Sequence, residues 1–123
     1  MKLRVKGNSI RLRLTQPEVQ RMQTEKKVYE SIDFGDDAVL HYELRSEPCD
    51  KKILPIFKSN RITIVVDQAE INDWADSDKV SISGNYEISD QNHMILLVEK
   101  DFKCLSPRDE DETDMFPHPD QNN

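Results

Sequence analysis

Glycine is scarce in this chain, with three in 123 residues. Loops that cradle phosphates on backbone N–H groups need several glycines close together, so P-loop and dinucleotide fingerprints are excluded. Cysteine is scarcer: Cys49 and Cys104 are the only two, and they form no CxxC pair. That excludes a disulfide framework of the secreted kind and a thiolate zinc cluster. No apolar run approaches the ~18 residues of a membrane-spanning helix. The opening Met1-Lys2-Leu3-Arg4 runs into alternating charge rather than the apolar core of a signal peptide, so the expected location is the cytoplasm. His41, His93 and His118 show no HExxH-type spacing, and no Ser-His-Asp or Cys-His arrangement is legible. His41 reads as a polar residue on a strand face, and Cys104 as a small buried side chain where the last strand ends.

Each end of the chain is poor in charge of one sign. Residues 1–14 hold Lys2, Arg4, Lys6, Arg11 and Arg13 and no acid. Residues 104–123 hold Asp109, Glu110, Asp111, Glu112, Asp114 and Asp120 against Arg108 alone. The whole chain carries −7, which argues against general nucleic-acid binding, because phosphate neutralisation needs a cationic footprint.

What the chain does have is a repeat at a spacing of 52 residues. Lys6-Gly7-Asn8 returns as Lys58-Ser59-Asn60, and Ile10, Leu12 and Leu14 return as Ile62, Ile64 and Val66. Thr15-Gln16-Pro17-Glu18-Val19 returns as Asp67-Gln68-Ala69-Glu70-Ile71, Met22 as Trp74, and Lys27-Val28 as Lys79-Val80. Leu40, Tyr42 and Leu44 match Met94, Leu96 and Val98 at a spacing of 54. A shift of two keeps strand parity, so the same face stays inward.

Period-two alternation over Lys2 to Lys6 and Ser9 to Leu14, across Gly7-Asn8, predicts a hairpin. Thr15 and Glu18 form a capping box with Pro17 in the first turn, opening a short amphipathic helix to about Lys26. Strands follow over Lys27 to Phe34 and Val39 to Arg45. After a linker over Ser46 to Lys52, the second copy gives strands at 53–58 and 61–66, a helix over about 68–75 capped by Asp67 and Glu70, and strands at 79–88 and 94–102. Pro55 marks its strand as an edge or irregular one.

The expected fold is α+β: a duplicated strand-strand-helix-strand-strand unit. About eight antiparallel strands form either one curved sheet or a closed barrel, with two short helices. A single domain spans 1–105, built of repeats over about 1–46 and 53–103. An acidic, proline-containing tail over 106–123 follows, with Met115, Phe116 and Pro117 as an apolar knot.

Function is expected where the copies differ. Lys2, Arg4, Lys6, Arg11 and Arg13 project from one side of the first hairpin. Lining a barrel interior, they would converge on phosphates or carboxylates, which arginine forks bind bidentately. Facing water, they would be the solvated, aggregation-resistant face of edge strands. The reading is a non-enzymatic cytoplasmic module that binds an anionic ligand or partner, such as a phosphorylated or carboxylate small molecule, without a cofactor. The acidic tail, opposite in charge, has two readings: a cap that folds back over the hairpin and competes with that anion, or a solubilising segment. Glu99 and Asp101 share one strand face and form a weak candidate pair for a divalent cation.

Two strings carry a resemblance. One is Lys6-Gly7-Asn8-Ser9-Ile10-Arg11-Leu12-Arg13-Leu14-Thr15-Gln16. The other is Trp74-Ala75-Asp76-Ser77-Asp78 with Val98-Glu99-Lys100-Asp101-Phe102-Lys103-Cys104-Leu105 running on to Phe116-Pro117. Together they resemble a family of small bacterial proteins classed as a domain of unknown function, a resemblance that implies no particular activity. More loosely, the chain resembles the CYTH, or triphosphate tunnel, superfamily, whose duplicated units close into an eight-stranded charged tunnel. That likeness implies a phosphorylated ligand and a divalent metal such as magnesium. The alternative reading is therefore a tunnel-type phosphohydrolase using the five cations on phosphates and Glu99 and Asp101 on metal. Lys2, Arg4 and Lys6 stand where those enzymes carry alternating glutamates.

Overall fold

The computed structural model of the chain describes residues 1–102, 114, 116 and 117. The first half runs β1 (Lys2–Val5), β2 (Ser9–Leu14), α1 (Gln16–Thr24), β3 (Lys27–Asp33) and β4 (Val39–Glu47). The second runs β5 (Ile53–Lys58), β6 (Arg61–Asp67), α2 (Gln68–Asp76), β7 (Ser81–Ser89) and β8 (Asn92–Lys100). The fold is α+β, as expected. The single antiparallel sheet or closed barrel is corrected: the strands form two four-stranded sheets, ordered β1-β2-β8-β7 and β3-β4-β6-β5, with no closure.

The correction has a topological cause. Each half makes two antiparallel hairpins, and its helix carries the chain from one sheet to the other. The centre of each sheet is therefore a junction between halves, β2 beside β8 and β4 beside β6, and both junctions are parallel. Pro55 lies in β5, an edge strand, where its missing N–H costs no ladder bond.

The two sheets map onto each other when β1, β2, β3 and β4 are exchanged for β5, β6, β7 and β8. Registers follow: Leu12 faces Val98, and Ile64 faces Leu44; Leu3 faces Leu12, and Pro55 faces Ile64. Lone backbone bonds also match. The Ile95 N–H donates to the Asn8 carbonyl at 3.1 Å, and the His41 N–H to the Asn60 carbonyl at 2.9 Å. Val28 pairs with Leu44 and Ile82 with Val98, so Ser81-Ile82 stand in β7 where Lys27-Val28 stand in β3. Lys79-Val80, matched to Lys27-Val28 by sequence, precede β7; the two additional residues lie between α2 and β7.

The capping signals divide. The Thr15 N–H and hydroxyl both donate to the Glu18 carboxylate, at 2.9 and 3.0 Å, at the start of α1. Asp67 makes no side-chain cap on α2. Its carboxylate accepts the Cys49 N–H at 3.0 Å and ties down the interdomain-like linker between the halves instead.

The core lies between the sheets and under the helices. Leu12, Leu14, Leu44, Ile64, Val66, Ile82, Leu96 and Val98 meet Val19 and Met22 of α1 and Ile71 and Trp74 of α2 in one cluster. Each such buried side chain contributes about 1.5–3 kcal/mol relative to exposure. Trp74 is fully buried, and its indole N–H donates to the Val80 carbonyl at 2.9 Å, a bond the two additional residues make available. At one seam Ile53 of β5 packs on Gly84 of β7. At the other, the Met1 ammonium forms ion pairs with Glu18 and Glu30.

The expected tail lies almost wholly outside the described residues, as do Met115, Cys104 and His118. Its described part touches the domain: the Gln16 N–H donates to the Asp114 carbonyl at 2.9 Å and the Phe116 N–H to the Asp101 carbonyl at 2.7 Å. The Phe102 and Phe116 rings lie 5.5 Å apart.

Candidate functional site

Alternation along β1 and β2 fixes where the basic residues point. Leu3, Ile10, Leu12 and Leu14 belong to the core, so Lys2, Arg4, Arg11 and Arg13 stand on the outer face of the first sheet. Register puts Lys2 opposite Arg13 and Arg4 opposite Arg11, while Lys6 is exposed just past β1. The space between the sheets is filled with apolar side chains, so these cations line no lumen.

The same register brings in the residues named as metal ligands. Arg13 lies beside Glu99 across the parallel β2–β8 junction. Glu99 Oε1 is 2.6 Å from Arg13 Nε and 3.5 Å from Arg11 Nε. Asp101, just past β8 and buried, has its Oδ2 3.1 Å from Lys2 Nζ. The structure thus unites the seven candidate residues in one region, with both carboxylates facing cations. Arg4 and Lys6 enter no ion pair among the described residues. No group of three or more His, Cys, Asp or Glu that could share a metal ion occurs among the described residues. No helix among them is long and apolar enough to cross a membrane.

Two features were missed by sequence reasoning. On the outer face of the second sheet, Glu43 is only 2 % exposed. Its Oε1 accepts from Arg45 Nη2 at 2.7 Å and from the Thr63 hydroxyl at 3.1 Å, and its Oε2 lies 3.5 Å from Arg61 Nη1. The Arg61 guanidinium sits 5.0 Å over the Tyr29 ring, and Tyr29 and His41 share a 2.5 Å hydrogen bond. Its signal was the β-branched run Ile62-Thr63-Ile64-Val65-Val66, whose lack of polar alternation marks a strand covered on both faces. His93, the other described histidine, is exposed at the start of β8.

The second is Lys100. After Met94, Leu96 and Val98, it occupies the next inward position of β8 and is 7 % exposed. Its Nζ donates to the Ser77 carbonyl at 2.8 Å, just past α2, whose own last turn has no basic residue. Burial pushes this amine below the ordinary lysine range, while the charge of Asp78 acts in the opposite direction. A cation at an inward-facing parity position was a readable anomaly.

A family model described as a family of unknown function (DUF7009) matches residues 1–120, and the chain belongs to that family. No curated protein and no solved structure matches it. The looser likeness to the tunnel superfamily is not shown: the strands form no closed barrel.

Proposed function

We propose that this member of the DUF7009 family is a non-enzymatic binding module that presents the outer face of its first sheet to an anionic partner. One observation carries the reading: Lys2, Arg4, Lys6, Arg11 and Arg13 share that open region, with Glu99 paired to Arg11 and Arg13 and Asp101 to Lys2. A flat sheet face suits an extended acidic or phosphorylated segment better than a small molecule needing enclosure. Arg4 and Lys6 supply charge not committed to an ion pair among the described residues. Arg11 and Arg13, braced by Glu99, hold their guanidinium groups in place at low entropic cost. The cytoplasmic setting belongs to this reading and is supported by the cysteine-poor composition. The phosphohydrolase reading requires Glu99 and Asp101 to turn from their cations to a metal, and no feature favours it.

Calorimetric titration with tripolyphosphate and with a glutamate-rich peptide, at low and moderate salt, tests the proposal. Wild-type protein should bind, more weakly as salt rises. The Arg4→Ala/Lys6→Ala variant should lose about 2- to 30-fold in affinity, from ~0.2–1 kcal/mol for each exposed charge. Neutralising Asp109, Glu110, Asp111 and Glu112 should strengthen binding if the tail competes for the face. Absence of binding by the wild type at low salt, or equal affinity in the double variant, overturns the assignment.

We also infer that the scaffold arose by duplication. The reading is supported by matching sheet orders, by registers related through shifts of 52 and 54, and by the matched backbone bonds of Asn8 and Asn60.

A further inference from the structure

A cleft of about 500 Å³ opens between the end of α2, the end of β8 and the Phe116-Pro117 crossing. Ser77, Asp78, Lys100, Phe102 and Phe116 are in its wall. The Lys100 ammonium lies 5.9 Å from the centre of the Trp74 ring and 5.5 Å from that of Phe116. One of its three N–H groups serves the Ser77 carbonyl, completing the charge balance at the end of α2. The other two have no hydrogen-bond partner among the described residues. A largely buried amine in the wall of an aromatic cleft, with donors to spare, is more than that structural role requires.

We propose that Lys100 is the amine of a ligand site, which captures small aromatic aldehydes as a Schiff base within this cleft. The aromatic walls favour a flat apolar body. Asp78 lines the same cleft and repels an anionic head, whereas a neutral carbonyl meets no such penalty. Desolvation favours the neutral, nucleophilic amine, the activation that buried lysines use towards carbonyls. The step balances without oxidant or reductant. The ammonium first gives a proton to solvent or to the Asp78 carboxylate. The nitrogen lone pair then attacks the carbonyl carbon and forms a carbinolamine. The hydroxyl leaves with a proton as water, and the C=N bond forms.

Incubating the intact chain with benzaldehyde and cyanoborohydride, then mapping N-benzyl lysines by peptide mass spectrometry, tests this. Lys100 should be labelled about tenfold faster than the exposed Lys26, Lys52 and Lys58, a factor equal to ~1.4 kcal/mol of barrier. Its rate should saturate with benzaldehyde concentration, and the preference should vanish in denaturing guanidinium. Labelling of Lys100 no faster than that of the exposed lysines overturns the proposal. So does a linear concentration dependence, or protection of Lys100 by benzoate, which would show that the cleft takes anions.

Discussion

Gly84→Ala probes the seam at which the two sheets meet without hydrogen bonds. Gly84 sits in β7 against Ile53 of β5. A Cβ at position 84 would overlap Ile53 Cγ2 and lie 3.6 Å from Ile53 Cβ. The neighbour cannot swing aside easily: it is β-branched, and only 6 % exposed. The extra methyl must therefore push β5 from β7 or force an off-rotamer isoleucine, at about 1–3 kcal/mol. For a domain near 100 residues that lowers Tm by roughly 4–12 °C. Urea melts followed by the fluorescence of Trp74, the one tryptophan, should show an earlier midpoint with an unchanged slope. Ile53→Ala removes the opposing methyl and alone costs about 2–5 kcal/mol. In the double variant the new Cβ fills part of that cavity, so the loss should fall short of additivity by ~0.5–3 kcal/mol. A neutral Gly84→Ala, or strict additivity, refutes the contact.

Other expectations follow from single groups. The Ser46 hydroxyl is buried without a hydrogen-bond partner among the described residues, so Ser46→Ala should stabilise by about 1 kcal/mol in urea melts, and destabilisation would count against the geometry. Tyr42 has its phenol pKa raised above 10.0 by burial first, then by Glu30 and Glu18. The folded state thus keeps the phenol proton longer than the unfolded one. That stability is fully present below pH 10.0 and is lost as pH rises through the folded value, and Tyr42→Phe should remove this alkaline dependence. Glu43→Ala should cost about 1.5–3 kcal/mol by leaving Arg45, Arg61 and Thr63 without their shared acceptor, and a loss below ~0.5 kcal/mol would deny the cluster a structural role. A chain opened within residues 48–51, with Phe102 joined to Met1 by a short glycine-serine linker, should fold, because Lys2 already touches Asp101 and the new junction repeats the β4–β5 one. A permutant without cooperative unfolding would remove that support for duplication.

How much of this was legible depends on whether a residue answers to its neighbours in sequence or to the other half of the chain. Leu12, Leu14, Ile64 and Val66 alternate because a half-buried strand demands it, so the core face could be read directly. The hairpins were legible for the same local reason. The parallel centres of the sheets were not. Whether β2 lies beside β8 is decided by how two halves dock, and no residue of either strand encodes a neighbour some eighty positions away. The misplaced match is instructive. Lys79-Val80 reproduces the letters of Lys27-Val28, but buried Val28 corresponds in register to buried Ile82. Letters on an exposed turn are weakly constrained, whereas an inward parity position is not, so the two additional residues had to be located by burial rather than by identity. The basic residues show the limit from the other side. Their spacing gave five cations on one face, yet a barrel and a pair of sheets assign opposite environments to that face. Sheets packed on an apolar core admit one answer: charges outward, with Glu99 drawn between Arg11 and Arg13 by the junction the sequence concealed. Lys100 follows from the same parity rule applied one step further. Continuing Met94, Leu96 and Val98 places its chain inward, and an inward lysine must find a carbonyl and aromatic faces, as it does at Ser77, Trp74 and Phe116.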